Sequence, residues 1–334
     1  MKIFHAIALA ASALLPVGCV GTAFEMDSRG EIAIPASIET LMRSKGTKST
    51  DPLFIRIFKQ ESELEVWKQN RVGKYVLLKT YAMCRWSGDL GPKKAEGDRQ
   101  SPEGIYEVTL PRLNPNSQYY LSFDLGYPNK LERARGYTGT ALMVHGACSS
   151  SGCFAITDDQ IGEVYALARE ALRAGQPAIQ VQSLPFRMTP RNLALHKSNA
   201  NFNFWLDLKE ASTRFDVLQE PPDFGFCEGR YRFGISKTSA PQYGPLGKCP
   251  QLEAPPANVT EKLDADLRSA EQLLEEERSV ELSYVDGGMH TRFRTVLLNK
   301  GAEFLSKQTS NNGVPISRPK AALSDPFNRM LGQP

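Results

Sequence analysis

The sequence is poor in histidine and lacks the cysteine spacings of a zinc site. Only 4 of its 334 residues are histidines, and no Cys-x-x-Cys pair occurs. Zinc sites use such pairs or clustered histidines, so we expect no metal centre. An excess of one charge is also missing, because 40 Lys and Arg residues nearly balance 37 Asp and Glu residues, for a net charge of +3. Nucleic-acid binding needs basic residues gathered in a stripe, so we expect no nucleic-acid partner.

Long hydrophobic runs are absent except at the N-terminus. Residues 1–20 open with Lys2 and continue as an Ala- and Leu-rich apolar run. This pattern is typical of a secretory signal peptide and is too short to favour a membrane span. We expect a leader of residues 1–23 that ends at Gly21-Thr22-Ala23. In the alternative, Cys19, which follows a sequence resembling a lipoprotein box, carries a lipid anchor. In both cases the chain is expected to leave the cytoplasm.

An odd number of cysteines follows this leader, namely Cys84, Cys148, Cys153, Cys227 and Cys249. In an oxidising compartment, an odd number leaves at least one thiol unpaired within a monomer, as a candidate reactive thiol. Cys227 and Cys249 flank a turn-rich stretch and could form a local disulfide. The sequence does not determine the pairing, and the default for Cys84 is a buried structural thiol.

Short strand patterns dominate the first two thirds of the chain, with helical patterns between them. The strand patterns cover 54–59, 64–68, 75–81, 105–110, 138–145 and 178–182, and helical patterns begin near 157, 190 and 261. Thr157 or Asp158 is suited to cap the first of these helices, and the second is expected to run from Pro190 toward Phe215. They predict an α+β fold with a mainly β core and peripheral helices. We divide the chain into the leader, an approach segment (24–50), a main domain (51–216), a Pro- and Cys-rich extension with a charged helix (217–310), and a tail expected to be disordered (311–334).

The stretch Val144–Thr157 carries the residues best suited to catalysis. It combines a histidine at a strand end, a loop of small residues and a cysteine ahead of a helix. A thiol becomes a useful nucleophile when a base accepts its proton, and His145 is a candidate base for Cys153. Gly146 and Gly152 allow a substrate backbone to come close, and nearby amides could donate to an oxyanion.

The same spacing also allows an interpretation without catalysis. Cys148 and Cys153 are five residues apart, so they could form a small disulfide in an oxidising compartment. The chain would then be a non-catalytic binding module, with His145 as an ordinary polar residue.

The sequence motifs around these residues resemble those of a known family. His145-Gly146 followed by Ser151-Gly152-Cys153 resembles the HG…[ST]xGC signature of the YkuD-type L,D-transpeptidases, and the chain is more closely similar to their YafK branch. The matching blocks keep one order across about residues 54–186, namely Ser87–Lys93, Glu96–Gln100, Ser101–Tyr106, Asn114–Ser117, Leu125–Asn129 and His145–Thr157.

The resemblance implies a mainly β catalytic domain that acts on peptidoglycan stem peptides in the bacterial periplasm without a cofactor. It implies that Cys153 is the nucleophile and that His145 is its general base and acid. The thiolate would attack the carbonyl at the L-centre of the third stem residue, a diamino acid, and leave a thioester. An amine acceptor would make the enzyme a transpeptidase. Water would make it a hydrolase that trims stems or releases a wall-linked protein or lipoprotein. Both reactions remain open, as does a non-catalytic wall-binding module in which Cys148 and Cys153 are oxidised together.

Further site candidates are Gly146, Ser151, Gly152 and Lys93, for substrate binding or for an oxyanion. For Lys93, a solvated loop lysine is the simpler interpretation. The sequence departs from the common family pattern at Ala155, where that pattern has an arginine that is thought to help hold the donor peptide. Recognition of the donor must therefore be arranged differently in this chain.

Overall fold

The computed structural model describes residues 29–235, 244–276 and 282–326. Its strands are β1 (Leu53–Phe58), β2 (Glu63–Gln69), β3 (Tyr75–Ala82), β4 (Arg85–Trp86), β5 (Gly104–Val108), β6 (Leu113–Asn114), β7 (Ser122–Asp124), β8 (Met143–His145), β9 (Phe154–Ala155), β10 (Ile179–Leu184), β11 (Phe224–Cys227) and β12 (Arg230–Phe233). Its helices are α1 (Ala36–Ser44), α2 (Lys130–Ala134), α3 (Asp158–Arg173), α4 (Pro190–Leu195), α5 (Phe202–Leu218), α6 (Ala257–Glu276), α7 (Thr291–Thr309) and α8 (Pro319–Ala322). The predicted leader, with Cys19, lies outside the described residues.

Two five-stranded mixed sheets form the centre of the molecule. The first has the order β3-β2-β1-β10-β5 and is antiparallel except where β1 pairs with β10. Every residue of β1 is buried, because neighbouring elements cover both faces of this central strand. The second sheet has the order β4-β9-β8-β7-β6 and is parallel only between β8 and β9. The sheets and the surrounding helices confirm the predicted α+β class.

The strand predicted over 138–145 is reduced to its last three residues. Gly139 and Ala141 have φ angles of 116° and 56°. These positive values lie outside the β region, so the chain before Met143 cannot continue a strand. The shortened β8 still ends at His145, as the sequence pattern predicts.

The predicted start of the helix near residue 157 is confirmed, whereas the predicted length of the helix that begins at Pro190 is wrong. The Thr157 side chain accepts a hydrogen bond from the Gln160 amide and forms a capping box at the start of α3. The helix expected to run from Pro190 toward residue 215 is instead two helices, α4 and α5. Between them the Asn199 side chain accepts a hydrogen bond from the Asn201 amide at 2.8 Å. Such local side-chain bonds compete with the helical pattern and favour a break.

The extension after residue 216 packs on the first sheet and its helices. Cys227 and Cys249 form the disulfide that their flanking positions suggested. Helix α6 is held to α5 by a buried ion pair of 2.5 Å between Lys209 and Asp266. Among the described residues, none of the helices has the length and apolar character needed to cross a membrane.

The tail that we expected to be disordered is folded over its described part. Residues 311–326 include α8, and Ile316 and Ala322 are buried in an apolar cluster with Phe293 of α7. Helix α7 is interrupted at Gly301, where φ is 82°. The Pro- and Ser-rich composition of the tail concealed this order, because its buried partners lie far away in the sequence.

Candidate active site

The second sheet brings the predicted nucleophile and base onto two neighbouring strands, β9 and β8. His145 is the last residue of β8, and Cys153 directly precedes β9. The strands are parallel and in register, with His145 opposite Ala155. Both side chains line a cavity of about 280 Å³, together with Tyr119, loop residues and Leu142. In this register Cys153 lies level with Met143, two residues before His145, so the pairing of β8 with β9 holds both groups beside one cavity.

Burial and one hydrogen bond define the state of His145. Its side chain is 2% exposed and stacks on the Tyr119 ring with centroids 4.6 Å apart. The Nδ1 atom lies 2.5 Å from the Gly146 carbonyl oxygen. Because a carbonyl only accepts, Nδ1 carries the proton and Nε2 keeps a free lone pair. Burial lowers the pKa of His145 to about 4, so the imidazole is neutral near pH 7 and can accept a proton.

Cys153 is a free, partly exposed cysteine. Its Sγ atom accepts a hydrogen bond from the Met143 amide at 3.4 Å and contacts the Ala141 carbonyl at 3.7 Å. Burial raises the pKa of the Cys153 thiol, an effect opposed by the Met143 amide. Since the thiol pKa is raised and the His145 pKa is lowered, the resting pair is a neutral thiol and a neutral imidazole.

Two serines hold the backbone of Cys153 in place. The Cys153 carbonyl oxygen accepts hydrogen bonds from Ser101 Oγ at 3.0 Å and from Ser150 Oγ at 2.7 Å. Ser150 Oγ also lies 2.9 Å from Ser87 Oγ and accepts from the Gly152 amide at 3.3 Å. Sequence reasoning did not single out these serines. They all lie within the blocks that carry the family resemblance, which was the available signal.

The disulfide pattern contradicts the default for Cys84 and one of the alternatives left open for Cys153. Cys148 is bonded to Cys84, 64 residues earlier in the sequence, and both residues are fully buried. Cys84 is therefore not the free structural thiol expected from its strand position. The disulfide between Cys148 and Cys153 that a non-catalytic module would require is not formed. The reason is tertiary, because the β4–β9 pairing brings Cys84 next to the loop after His145.

The two glycines of the loop have packing roles. The Gly146 amide donates to the Tyr119 and Leu121 carbonyls at 3.1 and 3.2 Å, so it is already engaged and is not free for an oxyanion. A Cβ at this position would lie 2.4 Å from Asp158 Oδ1, which excludes larger residues. Gly152 has a φ of 134°, a conformation that favours glycine.

The other two candidates differ in accessibility. Ser151 is exposed at the cavity and accepts a hydrogen bond from Arg99 Nη1 at 3.1 Å. Lys93 also lines the cavity but is only 4% exposed, so it is not a solvated loop lysine. Its Nζ atom is held by Asp98 at 2.5 Å and by the Ala95 carbonyl at 2.8 Å. Its charge is thus largely neutralised within its own loop.

Two further features of the described residues concern metal binding and the neighbouring cavity. Within them, no group of His, Cys, Asp and Glu is arranged to hold a metal ion. A larger cavity of about 380 Å³ lies between β5 and the β11–β12 hairpin, but neither Cys153 nor His145 lines it. The predicted nucleophile and base both line the smaller cavity.

Comparison with known proteins agrees with this geometry. Residues 54–179 match the family model of the YkuD L,D-transpeptidase catalytic domain. The chain is 40% identical over 220 residues to YafK of Escherichia coli strain K12, whose name gives its L,D-transpeptidase assignment as provisional. That match covers 66% of this chain and 87% of the relative, and YafK of strain O157:H7 matches equally. The chain belongs to the YafK branch of the YkuD-type L,D-transpeptidases.

Solved structures show only distant likeness to this family member. The helical cell shape determining protein Pgp2 from Campylobacter jejuni, as a point mutant, matches 46% of this chain and 58% of its own, with 21% identity and a TM-score of 0.32. Bd1075 from Bdellovibrio bacteriovorus matches 71% of this chain and 76% of its own, with 14% identity and a TM-score of 0.30.

The surroundings of Ala155 explain why a small residue fits at this position, where the common family pattern has an arginine. Ala155 is fully buried in the apolar cluster that contains Cys84 and Cys148. Its backbone pairs with Arg85 on one side and His145 on the other. A buried position in an apolar cluster is costly for an unpaired guanidinium, so the small residue suits this version of the fold.

Proposed function

We propose that this family member is a peptidoglycan L,D-transpeptidase that uses the Cys153 thiol as nucleophile and forms a thioester acyl-enzyme. The observation that carries the proposal is the shared cavity, which joins a free thiol to a neutral buried imidazole. The nucleophile, its base and a group that orients the base are the parts of an activated-nucleophile site. Here the Gly146 carbonyl orients the base through Nδ1. We also propose that it acts in the cell envelope, where this substrate lies.

The first half of the reaction forms the thioester. His145 Nε2 takes the thiol proton as Sγ attacks the carbonyl carbon at the L-centre of the third stem residue. Collapse of the tetrahedral intermediate breaks the carbon–nitrogen bond. The leaving amine takes the proton from His145, which returns to its neutral form. Because the Gly146 and Gly152 amides are both engaged, we assign stabilisation of the oxyanion to Ser151 and Cys153, with Ser151 at the mouth of the cavity.

The second half transfers the acyl group to an acceptor amine. His145 takes a proton from the amine as its nitrogen attacks the thioester carbonyl. The carbon–sulfur bond breaks, and the departing Cys153 sulfur regains its proton from His145. An amine of a second stem gives a cross-link, and an amine of a protein gives a wall-linked protein. Water in place of the amine gives hydrolysis with the same residues.

Mass spectrometry of muropeptides tests the proposal. Isolated cell wall is incubated with the purified protein lacking its leader and, in parallel, with the Cys153→Ser variant. New cross-links between third stem residues, or new wall-linked protein, support transpeptidation. Shortened stems or released protein without new cross-links would replace it by a hydrolase. Identical muropeptides with both proteins would contradict both reactions.

His196 provides a matched control for the base. It is also buried, stacks on Phe186 with ring centroids 4.5 Å apart, and has its pKa lowered to about 4 by burial. It does not line the cavity. We expect His145→Gln to abolish turnover and His196→Gln to retain it, so equal losses in the two variants would contradict the assignment of the base.

A further inference from the structure

The C-terminal segment, defined here as residues 282–326, packs directly against the catalytic loop, residues 146–153. Its apolar residues cluster around the Cys84–Cys148 disulfide, with Met289 1% exposed and Leu305 fully buried. The family model ends at residue 179, so this segment lies outside the matched catalytic domain. A loop that must hold a nucleophile is therefore supported by chain from outside that domain.

The most direct contact joins Ser317 to Ser150. Ser317 Oγ accepts a hydrogen bond from the Ser150 amide at 2.8 Å and donates to the Ser150 carbonyl at 3.0 Å. One hydroxyl thus satisfies both backbone groups of a loop residue. The Ser150 side chain in turn donates to the Cys153 carbonyl at 2.7 Å. Ser150 therefore links Ser317 of the C-terminal segment to the backbone of Cys153 through hydrogen bonds.

A second contact runs through Asp286, whose side chain is 5% exposed. Its Oδ2 atom accepts hydrogen bonds from Arg99 at 3.1 Å and from Arg318 at 2.9 Å. Arg99 donates through its other terminal nitrogen to Ser151 Oγ at 3.1 Å. Both arginines have positive φ angles, 57° and 46°. Such conformations are costly for arginine and persist where surrounding contacts enforce them.

A third contact reaches the start of the loop. The Asn311 amide donates to Asp158 Oδ2 at 2.7 Å, and the other oxygen of Asp158 accepts from the Ala147 amide at 3.0 Å. The C-terminal segment therefore holds the loop at Ala147, Ser150 and Ser151. These points lie before the nucleophile and are spread along the loop, as expected for a support that fixes its path.

We propose that the C-terminal segment is part of the active site, and that Ser317 and Asp286 are positioning residues for the loop that carries Cys153. The inference rests on the proposed role of Cys153. Neither residue lines the cavity, so both act through the loop. Displacement of a reacting group by about 1 Å can lower a rate by about a hundredfold. The two hydrogen bonds of Ser317 are therefore expected to matter more for turnover than for overall stability.

The Ser317→Ala variant removes the hydroxyl, and Ser317→Thr restores it. We expect Ser317→Ala to lower kcat at least about tenfold with KM changed less than about twofold, because the substrate cavity is intact while the sulfur is misplaced. We expect the midpoint of Cys153 alkylation by iodoacetamide to move to higher pH, because the sulfur loses its alignment with the Met143 amide. Ser317→Thr should restore both readouts.

Ser324 provides the control within the same segment. Its hydroxyl donates to the nearby Ala321 carbonyl at 2.7 Å and does not reach the catalytic loop. We expect Ser324→Ala to keep the wild-type kcat and alkylation midpoint. Asp286→Asn, which weakens the hold on Arg99, should lower kcat in the same direction as Ser317→Ala.

The inference and the proposed function fail in different ways. Wild-type kcat in both Ser317→Ala and Asp286→Asn would overturn the inference, as would equal losses in Ser317→Ala and Ser324→Ala. Full turnover by Cys153→Ser would overturn the proposed function instead. Alkylation of Cys153 needs no substrate, so its midpoint reports the loop whichever reaction the enzyme performs.

Discussion

Replacing both cysteines of the Cys84–Cys148 disulfide by alanine should lower the free energy of unfolding by about 4 kcal/mol. The bond closes a loop with a sequence separation of 64 residues. In the chain-entropy relation, a loop of that length removes about 14 cal/mol/K from the unfolded state, which is about 4 kcal/mol at 25 °C. Both side chains are fully buried, so their lost packing adds to this figure.

The assay is urea unfolding followed by tryptophan fluorescence, since Trp86 is fully buried two residues after Cys84. The matched control replaces Cys227 and Cys249, whose separation of 22 corresponds to about 3 kcal/mol by the same relation. Neither of these residues lines the active-site cavity. The control should therefore keep kcat within about twofold, whereas the first double variant should lose it.

Two results would refute this reasoning. A stability loss below about 1 kcal/mol in the Cys84 and Cys148 variant would mean that the bond does not constrain the unfolded chain. Unchanged kcat in that variant would mean that the loop after His145 keeps its path without the bond. Mass spectrometry of the unreduced wild-type protein checks independently that the two cysteines are joined.

Three more predictions concern pH and packing. Because His145 has a pKa of about 4 and must be neutral to accept a proton, kcat/KM should fall only as pH drops through about 4. A pH–rate profile with its acid limb near 6.5 would contradict this. Gly146→Ala should destabilise the protein and abolish turnover, because its Cβ would lie 2.4 Å from Asp158 Oδ1. Gly244→Ala, where no atom of the described residues lies within 4 Å of the added Cβ, should do neither in the same melting and turnover assays. Burial raises the pKa of Glu132 from 4.5 to about 7, so its stabilising contribution is complete below pH 4.5 and is lost as pH rises through about 7. Glu132→Gln should flatten this part of the stability profile in urea titrations, and an unchanged slope would show that the Glu132 carboxyl does not cause it.

Strong local patterns accounted for the parts of the fold that could be predicted. Strands β1 to β3 alternate or run as apolar segments between clear turns, and their observed bounds lie within one residue of the predicted ones. The Thr157 cap depends only on residues 157–160, so it too was visible. The strands β4 and β9 could not be predicted, because a segment of two residues shows no alternation of apolar and polar residues. Such a strand is defined only by the strand with which it pairs.

The sequence allowed us to predict the candidate base and nucleophile of the site, but not the distant residues that contact the loop between them. His145 and Cys153 are recognisable because few residue types can act as base and nucleophile, and the two lie close together in the sequence. Ser317 contacts the loop from 167 residues away, and Asp286 acts through Arg99, from which it is 187 residues away in the sequence. Neither contact has a local signal. The composition of residues 311–334 suggested disorder, but the described part of this tail is held by contacts with residues that are distant in the sequence.

By itself the sequence determined the chemical groups, the local caps and turns, and the odd cysteine that leaves a thiol free. These depend on residue identity and on neighbours within a few positions, where backbone geometry is short-ranged. Only the tertiary structure decided that Cys148 pairs with Cys84 and that Cys153 stays free. It also decided that His145 is buried enough to remain neutral and that the C-terminal segment supports the loop. The disulfide pairing, the burial of His145 and the contacts of the C-terminal segment all depend on which distant segments the sheets bring together. The spacing of residues along the chain does not determine this.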